Sequence, residues 1–347
     1  MNISATLTAT RRIALPCILP ILLSGCNTIV LNPSGDIALQ QGRLLVVSTL
    51  LMLLIIVPVI ALIVFFAWKY RQSNTAARYE PEWDHSTALE LVIWGAPLLI
   101  IIVLGLLTWI GTHTLDPYRK LDRIDANRAM PADAKYLRVE VVALDWKWLF
   151  IYPDLNIATV NELAAPVDTP IQFSITASTV MNSFFIPALA GQIYAMPSMQ
   201  TTLHAVINKA GVYEGFSANY SGAGFSDMKF KFHGMNQADF DKWVATVKAD
   251  KALNSAGYLE LEKPSIRVPV EHYGSVDANL YHGILNRCVG ANGMCMDQMM
   301  MTDAHKNTQV YASKNPASAA LRLADVNNEI CTTTPSLLKV NNDARAN

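Results

Sequence analysis

At 347 residues the chain has room for about two domains of ordinary size. Apolar residues make up 52% and charged residues 16%, a charge share well under the roughly 25% of a soluble domain, so membrane segments are expected. The net charge of −1 argues against a nucleic-acid partner.

The N-terminus carries Arg11-Arg12, then the apolar run "IALPCILPILL", then "LSGC" at Leu23 to Cys26. A basic start, a short apolar core and small residues at the exit are the parts of a secretory signal, predicted over 1–25. Cysteine after Leu-Ser-Gly resembles the lipobox of bacterial lipoproteins, which makes Cys26 the expected acceptor of a diacylglycerol; an ordinary signal with a chance cysteine is the alternative. Residues 26–43 then form a lipid-anchored tether. Leu44 to Trp68 and Leu91 to Thr112 contain no formal charge, and each exceeds the roughly 20 residues needed to cross a bilayer. They predict a two-helix transmembrane hairpin over 44–112, with Trp68, Tyr70, Trp94 and Trp109 toward the ends, where amphipathic rings favour the headgroup layer. Pro58 and Pro97 fall inside the spans, where neighbouring helices can satisfy the freed carbonyls. Basic residues flank both ends of the hairpin, so orientation rests on the signal: everything after about residue 113 is expected outside the cytoplasm.

From about Tyr136 the period changes. "YLRVEVVALDWKWLFIY" alternates around β-branched and aromatic residues, and short runs recur at "PIQFSITA", "NSFFIP", "GQIYAM" and "MQTTLHAVI", divided by turn residues. These predict a β-sandwich or barrel over 126–262. "NQADFDKWVATVKAD" switches to helical spacing, with Asn236 as N-cap and Phe240, Trp243 and Val247 on one stripe. An aromatic-rich appendix follows over 263–301, where "SVDANLYHGILNRCV" predicts a short amphipathic helix from Ser275, near Tyr273 and Tyr281. Polar residues 302–347 are expected to be disordered. In an oxidising compartment Cys288 and Cys295 are close enough in sequence to pair, two free thiols being the alternative; Cys331 has no evident partner.

Between "GVYEGFSANY" and "FSDMKFKFHGM" lies a glycine- and hydroxyl-rich loop without cysteine or histidine. Two membrane helices followed by an exported β-sandwich resemble subunit II of the haem-copper respiratory oxidases, whose cupredoxin domain binds a dinuclear copper centre. Copper-bearing members carry Cys-x3-Cys-x3-His-x2-Met in this loop, with a glutamate between the cysteines and a further histidine on an earlier strand. Counting back from Met228, the resemblance puts Phe225 at the loop histidine, Ser221 and Ser217 at the cysteines, Asn219 at the glutamate and Asn182 at the earlier histidine. Hydroxyls and a phenyl ring cannot replace thiolates and imidazoles as copper ligands. The loop is therefore expected to hold no metal, a pattern that resembles the quinol-oxidising, cytochrome bo-type branch. "MNSFFIP", "GQIYAMPSMQ", "SGAGFSDMKFK" and "THTLDP" agree with that branch.

The resemblance implies a noncatalytic subunit II of a proton-pumping ubiquinol oxidase in the bacterial inner membrane, with a periplasmic C-terminal domain. Haems, copper and the chemistry of quinol oxidation and oxygen reduction are then expected in subunit I, with subunits III and IV as further partners and no cofactor on this chain. It also places Glu90, at the start of the second span, at the mouth of a proton channel of subunit I; a headgroup-level acid without a role is the alternative. Trp146 and Trp148 of "DWKWLF" are read as packing or subunit contacts, and His204 and His233 as ordinary domain residues. The methionines around Met294, Met296 and Met299–Met301, with His305, are a soft-donor set for Cu(I) or a filler of irregular surface. A copper-handling or interaction lipoprotein, and a cytochrome c oxidase subunit, are the competing functions.

Overall fold

The computed structural model describes residues 28–78, 80–290 and 294–304. The predicted signal, Cys17, Cys26, His305, Cys331 and nearly all of the predicted tail lie outside them. Helix α1 (Asp36–Lys69) and helix α2 (Thr87–Thr114) contain the two apolar runs, and both pass through their prolines without ending. Their apolar side chains are almost all exposed: in α2 only Ile100 is buried. Such a surface requires lipid or another protein around it. At the far end of α1 the cations of Lys69 and Arg71 sit over the rings of Tyr70 and Trp68, as charged groups at a membrane boundary do.

The first turn of α1 is built into the β domain. Asp36, 2% exposed, receives two hydrogen bonds from the Arg123 guanidinium at 2.8 and 3.1 Å. Gly35 bridges Ile207, and the Ser34 and Gly35 amides donate to Ala188 O. Past α2, the carbonyl of Pro117 accepts from the His204 amide and lies 3.2 Å from its Nδ1. Burial lowers the pKa of that imidazole, so His204 acts as a neutral strut between the exit of α2 and the sheet.

Two sheets face each other beyond this junction. The first contains β1 (Leu137–Leu144), β2 (Lys147–Tyr152), β3 (Ile157–Val160), β5 (Pro170–Ala177), β8 (Thr201–Val206) and β11 (Glu271–Tyr273), in the order β8-β5-β1-β2-β3-β11. The second contains β4 (Glu162–Pro166), β6 (Asn182–Phe185), β7 (Ile193–Ala195), β9 (Gly211–Ser217) and β10 (Lys229–Met235), in the order β4-β10-β9-β6-β7. Neighbours are antiparallel except for two parallel pairs, β1 with β5 and β4 with β10, which set a Greek-key-like course. Alternation sends Val139, Val141, Trp148, Phe150, Phe173 and Ile175 inward to meet Phe184, Phe230 and Phe232. Trp148 is fully buried, edge-on to Phe184 at 5.4 Å and to Phe230 at 5.8 Å.

Helix α3 (Gln237–Lys248) starts where expected, with Asn236 accepting from the Asp239 amide. Its buried positions are Phe240, Val244 and Val247, while Trp243 is partly buried and tilts toward Tyr152. A further helix, α4 (Ser255–Glu262), capped by Asn254, was not predicted: its eight residues are too few to show a period. The helix expected from Ser275 is corrected. Ser275–Val276 instead pairs in parallel with Ala252–Leu253, and Asn279 adopts a left-handed φ of 67°, so helix α5 spans only Leu280–Leu285.

The described residues from Asn286 onward belong to a second unit. Within it Cys288 and Cys295 are joined by a disulfide, and residues 296–304 are helical, so helix continues past Met301 into a segment expected to be disordered. Met296 and Met299–Met301 thus lie on a helix and Met294 just before it, with Met294 and Met299–Met301 exposed.

Candidate functional site

The loop between β9 and β10 leaves the sheet at Ser217 and returns at Lys229. Ser217 and Asn182 come together because β9 pairs with β6, Ser217 lying opposite Phe184. The Ser217 hydroxyl donates to Asn182 Oδ1 at 3.0 Å, with the Asn219 carbonyl a second acceptor at 3.2 Å. Asn182 Nδ2 donates to Val180 O at 3.1 Å, and Asn219 Nδ2 to Met181 O at 3.3 Å. Met228, 1% exposed, closes the same corner, its carbonyl accepting from the Ser217 amide at 3.2 Å. Phe225 opens a 3-10 turn, Phe225–Asp227, edge-on to Tyr220 at 5.7 Å. The Ser221 hydroxyl is buried without a hydrogen-bond partner among the described residues, while its carbonyl accepts from Trp146 Nε1 at 3.1 Å.

Trp146 is the lid of this loop. It occupies the second position of the two-residue β1–β2 turn at φ 64°, a conformation costly for a bulky residue. The indole lies so close to the loop that a Cβ at Gly224 would come within 2.5 Å of the ring, and one at Gly222, where φ is 112°, within 3.1 Å. Glycine at both places permits the approach. Ring and loop together shut the corner with neutral groups.

Of the six positions singled out for this corner, Asn182, Ser217 and Asn219 are hydrogen-bonded together, Met228 joins them through its backbone, and the Ser221 hydroxyl and the Phe225 ring stand apart from that set. A dinuclear copper centre requires two bridging thiolates and imidazole nitrogens. Here the matching positions offer two hydroxyls, two carboxamides and a phenyl ring, and only the Met228 thioether is a soft donor. Moreover, the Ser217 hydroxyl and the Asn182 amide are already committed to each other. These residues do not fit the metal.

Glu90 sits in the first turn of α2, where a carboxylate complements the helix dipole, and it meets His85 Nδ1 at 2.8 Å on an exposed surface. The two are separated by a turn, so His85 carried no periodic signal. Trp148 is a core residue and Trp146 a packing residue, as the packing reading had it.

A second polar cluster was missed. Glu162 on β4 receives Trp243 Nε1 at 3.0 Å and faces His272 Nε2 at 2.7 Å and His233 Nε2 at 3.3 Å. It joins both sheets and α3, since His272 belongs to β11 and His233 to β10. His233 lies opposite Ala164, close to Glu162 along the parallel pair, so knowing that register would have found it. His272, 110 residues away in sequence, had no local signal. Lys147 was also missed: it is buried, its ammonium donating to Lys263 O at 2.7 Å and bonding Ser265 Oγ, which straps the appendix across the first sheet. Burial draws its pKa down.

Residues 154–234 match the family described as "Cytochrome C oxidase subunit II, periplasmic domain", and residues 248–292 match the "COX Aromatic Rich Motif", a stretch that takes in α4, β11 and α5. The chain is 50% identical over 279 residues to the cytochrome bo(3) ubiquinol oxidase subunit 2 of Pseudomonas putida, covering 80% of this chain and 86% of that one. It is 49% identical to the protein of that name from Pseudomonas aeruginosa, covering 77% and 78%, and 48% identical to the ubiquinol oxidase subunit 2 of Acetobacter aceti, covering 80% and 88%. With identity of this order over more than three quarters of the chain, it belongs to the family of subunit 2 of the cytochrome bo(3)-type ubiquinol oxidases.

Proposed function

We propose that this chain is a noncatalytic subunit of a proton-pumping ubiquinol oxidase in the bacterial inner membrane, with its sandwich on the periplasmic side and without copper. The observation that carries this reading is the closed corner where Ser217 bonds Asn182 and Trp146 covers the loop, its hydroxyls and carboxamides too hard for the metal. A lipid-soluble quinol delivers electrons inside the bilayer, so a soluble relay outside is unnecessary. Haems, the copper at the oxygen site, and the quinol chemistry belong to subunit I in this reading, and subunits III and IV complete the assembly. The exposed apolar faces of α1 and α2 are the surfaces available to subunit I and to lipid. Lipidation of Cys26 supplies a third hold on the membrane. Glu90 serves at the entrance of a proton path, with His85 beside it as an exchange partner.

Purification of the full complex in mild detergent tests the assignment. Co-purifying haem and ubiquinol-dependent oxygen uptake are expected, with no copper assigned to this subunit. Stoichiometric paired copper in the β domain, with near-infrared absorption, overturns the copper-less reading, and a lone colourless monomer overturns the oxidase role. In Glu90→Ala, slower proton uptake during haem reduction with normal assembly is expected; wild-type rates remove the role. Palmitate labelling that persists in Cys26→Ala ends the lipid anchor.

A further inference from the structure

Where α1 and α2 leave the β domain, a groove of about 340 Å³ opens between them. Its walls are Leu44 and Val47 on α1 and Leu107 and Ile110 on α2, and its rim carries Arg43 and Arg123. The two arginines differ in kind. Arg123 gives Nε and Nη2 to the carboxylate of Asp36, so that pair is close to neutral as a unit. Arg43 is exposed and has no ion pair or hydrogen bond among the described residues. It is also the last charge before the apolar run from Leu44 to Trp68, so it sits at the depth where the hydrocarbon begins.

A single uncompensated guanidinium at the mouth of an apolar slot is the complement of an amphiphile with one anionic head and a hydrocarbon tail. A guanidinium holds a phosphate through parallel N–H donors, and the leucine and isoleucine walls suit an acyl chain. We infer that this groove is a binding site for one anionic phospholipid, its phosphate on Arg43 and part of an acyl chain between Leu44, Val47, Leu107 and Ile110. The inference rests on the membrane placement proposed above. It makes the lipid a wedge that fixes the angle between the two helices at the base of the β domain.

The test is native mass spectrometry of the detergent-purified oxidase complex, with phosphatidylglycerol or phosphatidylcholine as the added lipid. Wild type is expected to hold one phosphatidylglycerol more firmly than phosphatidylcholine, and millimolar inorganic phosphate should not displace it. Arg43→Gln should weaken retention by about fivefold, the weight of one arginine on an anionic lipid, and Arg43→Lys should restore most of it. Leu107→Trp, which fills the slot without touching the charge, should also weaken it. Equal retention in Arg43→Gln and Leu107→Trp overturns the site, as does displacement by phosphate alone. Cross-linking of Leu107→Cys to another subunit, with no lipid retained, assigns the groove to a protein helix and equally overturns it. Haem content of the same samples reports separately on the oxidase assignment: a preparation without haem sinks that assignment, and its lipid retention still decides the site.

Discussion

The corner at Ser217–Met228 and the seam around Glu162 both place polar side chains out of water, and they do it with opposite chemistry. At the corner Ser217, Asn182 and Asn219 are neutral and bond locally within the second sheet and its loop, and the Trp146 ring shuts the loop from the first sheet. At the seam one carboxylate bonds an indole and one imidazole and lies 3.3 Å from a second, the three drawn from both sheets and a helix. Breaking a bond between neighbours in one sheet releases a loop; breaking the seam releases β11 and α3 from the sandwich together. The comparison shows that a loop can keep its course through a few local contacts, while the two sheets and α3 are tied together elsewhere.

That contrast can be broken by substitution. Glu162→Ala leaves Trp243 Nε1 and His272 Nε2 without their acceptor and should cost about 3 kcal/mol, read from chemical denaturation of the detergent-solubilised chain. Combined with His272→Ala, it should show a coupling of about 1 kcal/mol or more; strict additivity would mean the contact contributes nothing. Gly224→Ala drives a methyl group into the Trp146 ring and should cost about 2 kcal/mol, a loss that Trp146→Ala in the same chain relieves in part. If the loss is undiminished there, the ring is not what the glycine accommodates. Ser217→Ala should cost about 1 kcal/mol and leave quinol oxidation unchanged, since it removes one neutral bond.

A further effect concerns pH. Burial raises the pKa of Glu140, on β1, to about 7. The folded chain therefore holds this proton over a range where the unfolded chain, with a pKa near 4.5, has released it. Stability from this group is present at low pH and is lost as pH rises from that lower value through about 7. Glu140→Gln should flatten this part of the stability profile. A variant with the same slope as wild type assigns the slope to other groups.

Elements with a strong period were legible before any coordinates. "PIQFSITA" is β5 residue for residue, the Asn236 cap begins α3, and the two charge-free runs lie within α1 and α2. The hydrogen bond between Ser217 and Asn182 needed the structure, because the two lie 35 residues apart. The lid did too: no periodic signal places Trp146 at a positive φ over a loop reached 75 residues later. The appendix misled for a related reason. Ser275–Val276 carries a helix-like pattern, yet a strand at Ala252–Leu253 offers its backbone groups partners, and pairing wins.

The sequence by itself determined the membrane hairpin, the sandwich class, and the absence of thiolate and imidazole from the corner, because these depend on composition and spacing over a few residues. The tertiary structure alone decided that Glu162 finds His272, that Asp36 ties α1 to Arg123, and that Arg43 stands uncompensated at the lip of a groove. Such contacts join residues tens to a hundred positions apart. They follow from strand order and register, which hydrophobic alternation constrains only within one strand at a time.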